Sequence, residues 1–468
     1  MVKQNATKSP SASAHQTVTE EFYFKVGEKT IAISTTEQRL SAHAGQSALW
    51  ACLHRLKVRV ELASALPHRP TSPNALAPVE QALGFIAGII AGAKKLTQVA
   101  WLRGDPVLPQ LLQIERVSSQ SSLTRFFAAF KNAGANFACF QRLWRWSLAR
   151  LPSRAGGYTL DFDTTGLVHE DGHQEGVRVG HTRIGLKPCL QPMLAVLAEV
   201  KLCAQFWLRA GNAHCSNNLL EFTRALLRNL PAQVRVRLIR ADSGFFYDPW
   251  LALLEARGLR YIVVADLSVR IKSLLRKTTP WQPTKVAGLE VAEVSYESKS
   301  ASCPRRLILL RRSVAVESRG GGKLLLEVPG YKFQALATNL PPSSSPLQVW
   351  FEYNGRAGIE NVIKELRHGF ALPDLCCKKF FATEAALSLA VFTYNLSILF
   401  ARHLGWLEKV TIGTLRYRLF HCAGIISFSQ GRTTLRLGIP PSHRPWWARL
   451  WHKLLSPFPN CNAVDQAP

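Results

Sequence analysis

The chain is short of negative charge: 31 aspartates and glutamates face 58 lysines and arginines, a formal net charge of +27 over 468 residues. That imbalance argues against a protein built for cationic partners. It points to a polyanion, of which nucleic acid is the commonest and an anionic membrane surface the rival. Clustered cysteine is also missing. Of ten cysteines only Cys376 and Cys377 lie close together, and no C-x-x-C pair occurs. Neither a cysteine-built zinc site nor a disulfide framework is supported, and scattered thiols fit a cytoplasmic, reducing setting. His169 and His173 have helical zinc-ligand spacing, but they sit in a Gly-rich, charged stretch without a cysteine nearby and read as loop histidines.

Long apolar runs are scarce as well. Ala82 to Ala93 is too short to span a bilayer and runs straight into Lys94 and Lys95. Ala385 to Ala401 is longer, but Thr393, Tyr394, Asn395 and Ser397 interrupt it, so a buried helix is expected. Met1 to His15 is polar and Ser/Ala-rich with no apolar signal core, and residues 1–20 read as a flexible tail. With no membrane segment expected, the positive charge is free to meet DNA or RNA. Charge alone says nothing of catalysis.

What the chain does have is core. Apolar residues make up 47%, which excludes a mostly disordered chain and suits two or three domains. From Glu21 to Arg150 the pattern is mainly helical, a probable DNA-binding region. Ser121 and Ser122 open one helix there, and Phe126, Phe127 and Phe130 fall at core spacing. Trp144 and Trp146, among Arg142, Arg145 and Arg150, either touch a DNA backbone or belong to an amphipathic helix with a solvated basic face.

The middle is more informative. Tyr158 to Asp163 alternates as a half-buried strand does. Two strand-like runs follow, around Met193–Val200 and Ala204–Leu208. Ser216 offers an N-cap to a helix from Leu219 to Leu230, and Val234–Ile239 reads as a strand leading into Arg240-Ala241-Asp242. Asp248-Pro249 opens a short helix that Gly258 closes, and Leu259–Ala265 is a last apolar strand. Three strands, helix, strand, helix, strand is the order of a ribonuclease-H-like core, here spanning 151–266. Residues 267–340 give short alternating runs with a turn at Gly320-Gly321-Gly322, a mostly β insertion. Helical pattern returns over 341–410, and 411–468 holds a hairpin turning near Gly431, then a Trp- and Pro-rich end.

The most specific segment is Phe351 to His368. Read as one helix, it puts Tyr353, Arg356, Glu360, Lys364 and Arg367 on a stripe roughly 80° wide, opposite an apolar face of Ile359, Val362, Ile363 and Leu366. By itself this is an ordinary surface helix with ion pairs at i,i+4. Its company changes the reading, because Asp163 and Asp242 each end an expected strand. Asp161 points to the same face as Asp163 and competes with it as the first acid.

Together these segments resemble the DDE transposases of bacterial insertion sequences, in the group with a Tyr-x2-Arg-x3-Glu-x6-Lys signature and a β insertion before the last acid. Leu160-Asp161-Phe162-Asp163-Thr164-Thr165 looks like the first-acid motif, with Thr two residues after the Asp, which favours Asp163. Arg240-Ala241-Asp242-Ser243-Gly244-Phe245 looks like the second, and Tyr353, Arg356 and Glu360 match the signature in type and spacing. Gly211-Asn212-Ala213-His214 also resembles a segment common between the first two acids. The three acids are 79 and 118 positions apart, and the likeness runs from about residue 21 to 440. One departure is Arg367 at the signature lysine, which keeps the charge but not the compact ammonium.

The resemblance implies Mg²⁺, with Mn²⁺ as substitute, held by Asp163, Asp242 and Glu360. Two such ions about 3.5–4 Å apart activate the attacking oxygen and stabilise the leaving one. It implies Tyr353, Arg356, Lys364 and Arg367 along DNA phosphates, and double-stranded DNA as partner, both terminal inverted repeats and target. A dimer on DNA follows from the need to pair two ends. The rivals are a nuclease that cuts without joining, a domesticated DNA-binding protein that has lost catalysis, and a basic RNA-binding scaffold. All three acids are present in order, which favours the transposase; a nucleoid-associated cytoplasmic location is expected.

Overall fold

The computed structural model describes residues 21–67, 72, 74–277, 281–297, 304–314, 323–325, 328–406 and 410–457. The expected tail at 1–20 and the turn at Gly320–Gly322 lie outside them. The fold is mixed α/β, with one large mixed sheet and many helices.

The order read from the sequence is present: β1 (Tyr158–Thr164), β2 (Met193–Leu197), β3 (Leu202–Trp207), α1 (Leu219–Asn229), β4 (Val236–Ala241), α2 (Asp248–Ala256) and β5 (Tyr261–Val264). The stretch after β5 supplies β6 (Gln282–Pro283), β7 (Leu289–Tyr296), β8 (Arg305–Ser313), β9 (Lys323–Leu325) and β10 (Val328–Thr338). These join the same sheet, in the order β6-β7-β8-β10-β5-β4-β1-β2-β3, with β9 on β10. β1, β4 and β5 run parallel at the centre, and β10 pairs antiparallel with β5. So residues 267–340 extend the central sheet through β5.

β1 is buried along almost its whole length, where alternation suggested a half-buried strand. The reason lies on both its faces. Phe162 packs into a ring cluster with Phe222 of α1 and Phe245 and Trp250 near α2, at centroid distances of 5.8, 6.2 and 5.3 Å. The polar positions on the other face are buried by ion pairs and helix. Between β1 and β2 the chain makes an unforeseen three-stranded sheet of Leu167–Val168, Arg178–Thr182 and Gly185–Leu190. Ser216 does not cap α1; Asn218 takes the N-cap position in left-handed conformation without a side-chain cap bond, while Ser216 Oγ meets His214 Nδ1 at 2.8 Å.

The N-terminal region is mainly helical but opens with an exposed hairpin of Phe22–Val26 and Lys29–Ile33. One helix begins at Gln120, capped by Ser119, whose Oγ accepts from Ser122 N at 3.2 Å; Phe126, Phe127 and Phe130 are core. Trp144 and Trp146, on the helix Ala133–Leu148, are buried rather than offered to DNA. Arg142 is spent on Glu61 at 2.6 Å, and Arg150 stacks on Trp146. The amphipathic-helix reading therefore fits that segment.

Helix α3 (Pro346–Asn354) and α4 (Ala357–Gly369) carry the signature, and α5 (Phe380–His403) follows. By length and composition α5 would cross a membrane, but 89% of its most apolar window is buried within the protein. Its polar residues show why. Asn395 accepts from Cys203 N at 3.0 Å and donates to Cys203 O at 2.8 Å, and the Tyr394 hydroxyl donates to Lys201 O. Edge strand β3 would otherwise leave backbone groups unpaired, and α5 satisfies them. The late hairpin, Gly424–Ser429 and Arg432–Leu437, turns at Gly431 and pairs with Leu40–Ser41.

Candidate active site

The site grows from the parallel pairing of β1 and β4. Their register sets Ile239 beside Leu160 and Arg240 beside Asp161. Continued along the strands, it brings Asp163 and Asp242 to the same end of the sheet. The inner pair closes on itself: Arg240 donates to Asp161 Oδ1 at 2.7 Å and Oδ2 at 2.9 Å, with both side chains buried. Arg240 Nη1 reaches on to Glu352 O at 2.5 Å. Both oxygens of Asp161 are thus held by Arg240.

The outer acids are each held by one oxygen and offer the other. Asp163 Oδ1 accepts from Thr164 N at 2.8 Å, and Asp242 Oδ1 from Gly244 N at 3.0 Å. Asp163 Oδ2 and Asp242 Oδ2 face a single nitrogen, Arg356 Nη2, at 3.1 and 3.7 Å. Arg356 is only 8% exposed, and the same nitrogen donates to Phe162 O at 3.0 Å. Burial pushes Asp163 up to about 6; Arg356 opposes that, while Asp242 and Glu360 add repulsion. Burial works against the Arg356 guanidinium, but Asp163, Tyr353 and Asp242 hold it charged. Burial lifts the Tyr353 phenol to about 12, with Asp242 and Asp163 contributing and Arg356 opposing.

The signature segment is not one helix. α3 ends at Asn354 and α4 begins at Ala357, joined by a tight turn at Gly355-Arg356, both in right-handed helical conformation. At this turn Gly355 lies against Arg240 Nη1, which a Cβ would overlap. Sequence periodicity misses it because a lone glycine leaves an amphipathic pattern intact. Arg356, at that turn, is buried, while Glu360, in the first turn of α4, is exposed. Lys364 is exposed too, while Arg367 donates to Thr165 Oγ1 at 3.2 Å and Gly166 O at 3.1 Å beside the first acid.

A cation fits between the two aspartates, since two oriented carboxylate oxygens already converge on one positively charged atom. Carboxylate oxygen suits a hard ion such as Mg²⁺. Among the described residues, however, no three His, Cys, Asp or Glu side chains lie close enough together to hold an ion. Glu360 is exposed, yet near enough to add to the repulsion on Asp163. His169 lies in a loop, as does His173.

The family model for the transposase DDE domain group 1 matches residues 24–457. The chain belongs to this family. Enzymes with DDE domains generally use divalent metal ions, which agrees with the all-oxygen character of the aspartate pair. No curated protein matches the sequence. Among solved structures, the chain is similar to the piggyBac transposase in a synaptic complex with hairpin DNA, at 12% identity and a TM-score of 0.39, covering 79% of this chain and 78% of that one.

Three participants escaped the sequence reading. Arg240 and Gly355 were visible only as parts of motifs. Cys215 lies 3.6 Å from Thr164 Oγ1, and Gly244 sits so close that a Cβ there would be 2.7 Å from its sulfur. A signal for Arg240 did exist: each outer aspartate follows, by two residues, a charged residue of opposite sign to its counterpart on the neighbouring strand.

Proposed function

We propose that this DDE transposase cuts DNA at the ends of a bacterial insertion sequence and joins the freed ends to target DNA, with Asp163, Asp242 and Glu360 as metal ligands. The observation that carries the reading is the convergence of Asp163 Oδ2 and Asp242 Oδ2 on one cationic atom at the end of two parallel strands. Bound there, Mg²⁺ or Mn²⁺ would lower the pKa of an attacking water or hydroxyl and neutralise charge on the leaving oxygen. The chain's own part is to orient both carboxylates through the Thr164 and Gly244 amides and to keep Asp161 out of competition by its pairing with Arg240.

In this reading β1 to β5 form a ribonuclease-H-like core within 151–266, completed by helices of 341–410, with 267–340 as the β insertion. Residues 21–150 contribute to recognition of terminal repeats. Tyr353, Arg356, Lys364 and Arg367 take the phosphates beside the cleaved bond, and Glu360 moves in from the start of α4 when DNA and metal assemble. The enzyme works as a dimer on DNA, at the nucleoid.

The test is cleavage of a plasmid carrying the sequences that flank the gene, with Mg²⁺ or Mn²⁺, using Asp242→Ala as control. Metal-dependent breaks at the flank boundaries, absent in the control, are expected. Binding of those ends by both proteins without any cut would replace the reading with a DNA-binding relic, and neither binding nor cutting would remove it.

A further inference from the structure

Arg356 is not placed as an idle phosphate ligand. It is buried, and its Nη2 sits where the two acids point, 3.1 Å from one and 3.7 Å from the other. It is also held less completely than Arg240. Arg240 uses Nε, Nη1 and Nη2 on Asp161 and Glu352 O, whereas the buried Nε of Arg356 has no hydrogen-bond partner among the described residues. It occupies the joint between α3 and α4, where Arg356 N turns back to Tyr353 O at 2.9 Å. A movement of its side chain there need not unwind a continuous helix.

We infer that Arg356 is an internal countercation that holds divalent metal off the Asp163–Asp242 pair until a DNA phosphate draws it away. This rests on the reading of those aspartates as metal ligands and adds the regulation of the same site. The positive charge between the two oxygens and an incoming dication claim one position, so they exclude each other. A phosphate oxygen offers the guanidinium a second anionic acceptor, through nitrogens not committed to the acids. DNA then raises the affinity for metal, and metal raises the affinity for DNA by the same factor. Free protein carries little metal, and the cutting centre is charged only where a phosphate has been delivered.

The experiment is Mn²⁺ binding to the full chain without DNA, followed by the electron paramagnetic resonance of unbound Mn²⁺. It compares the parent with Arg356→Gln, Arg356→Lys and the double variant Arg356→Gln/Asp242→Ala. Arg356→Gln is expected to bind Mn²⁺ more tightly than the parent, by a factor on the order of 5 to 150. The double variant loses that gain, and Arg356→Lys, which keeps a compact charge but not the fork, shows a smaller gain. Should Arg356→Gln fail to fold, the gain in Arg356→Lys decides. Equal or weaker binding in the folded variants overturns the countercation role. If the parent still makes metal-dependent cuts at its ends, only that role falls; if neither binding nor cutting is seen, the metal-ligand reading falls with it.

Discussion

Two arginine–aspartate arrangements form two residues apart along the same pair of parallel strands, the outer one with an arginine from the turn before α4, and they differ. In the inner one, Arg240 and Asp161 meet fork to fork, buried, with both carboxylate oxygens and all three guanidinium nitrogens bonded. In the outer one, a single nitrogen of Arg356 is shared by Asp163 and Asp242 at longer range. The first arrangement is closed and holds strands together; the second is open and has room for a different cation. Identical residue types thus give a strut in one place and a site in the other, and the ratio of acids to arginine separates them.

The largest effect that would sharpen this contrast is on chemistry. Asp242→Ala, at a half-buried position, is expected to leave the fold intact and lower end cleavage by at least roughly 10³-fold, about 4 kcal/mol of barrier. Single-turnover cleavage assays beside a melting curve check both halves. Next comes the strut. Asp161→Ala leaves a buried guanidinium unpaired and should cost about 3–5 kcal/mol of stability, whereas replacing Asp161 and Arg240 together by apolar residues should cost far less. If denaturant titration showed both changes costing the same, the inner pair would not be the closed unit described.

Gly355→Ala joins the two arrangements, because its Cβ meets Arg240 Nη1 and shifts the joint that aims Arg356. Overpacking of about 1–3 kcal/mol is expected, with weaker end cleavage. The pH dependence is smaller. Asp163 is pushed up to about 6 from an ordinary value of 3.8. Between those values the folded chain binds more protons than the unfolded one, so this group makes metal-free stability fall as pH rises from about 4 through 6. Melting temperatures across that window should show the fall, and Asp163→Asn should flatten it. Smallest of all, Glu352→Gln loosens the exposed pair with Arg237, at 3.0 Å, and should change stability by at most about 1 kcal/mol.

Much of this was legible in the sequence. The strand and helix order from Tyr158 to Val264 shows in its periodicity and turn residues, although β1 and β2 prove buried on both faces. The motif spacing pointed to Asp163, and Asp161's engagement by Arg240 gives that preference a physical basis. What periodicity did not reveal are contacts between distant segments. Arg240, more than a hundred positions earlier, packs against Gly355 at the break between α3 and α4, and the burial of Trp144 and Trp146 comes from neighbours that an isolated helix pattern cannot name. The continuation of the sheet through β10 is of the same kind, since β5 and β10 carry no sequence mark of their pairing.

The hydrogen bond from Arg356 to Phe162 O spans 194 positions. During synthesis, both outer aspartates leave the ribosome long before the arginine between them, and β5 waits for β10 as its neighbour. A polypeptide cut short before residue 356 would therefore hold two like charges at one strand end with nothing between them. The arrangement at that strand end is complete only once residue 356 has been made.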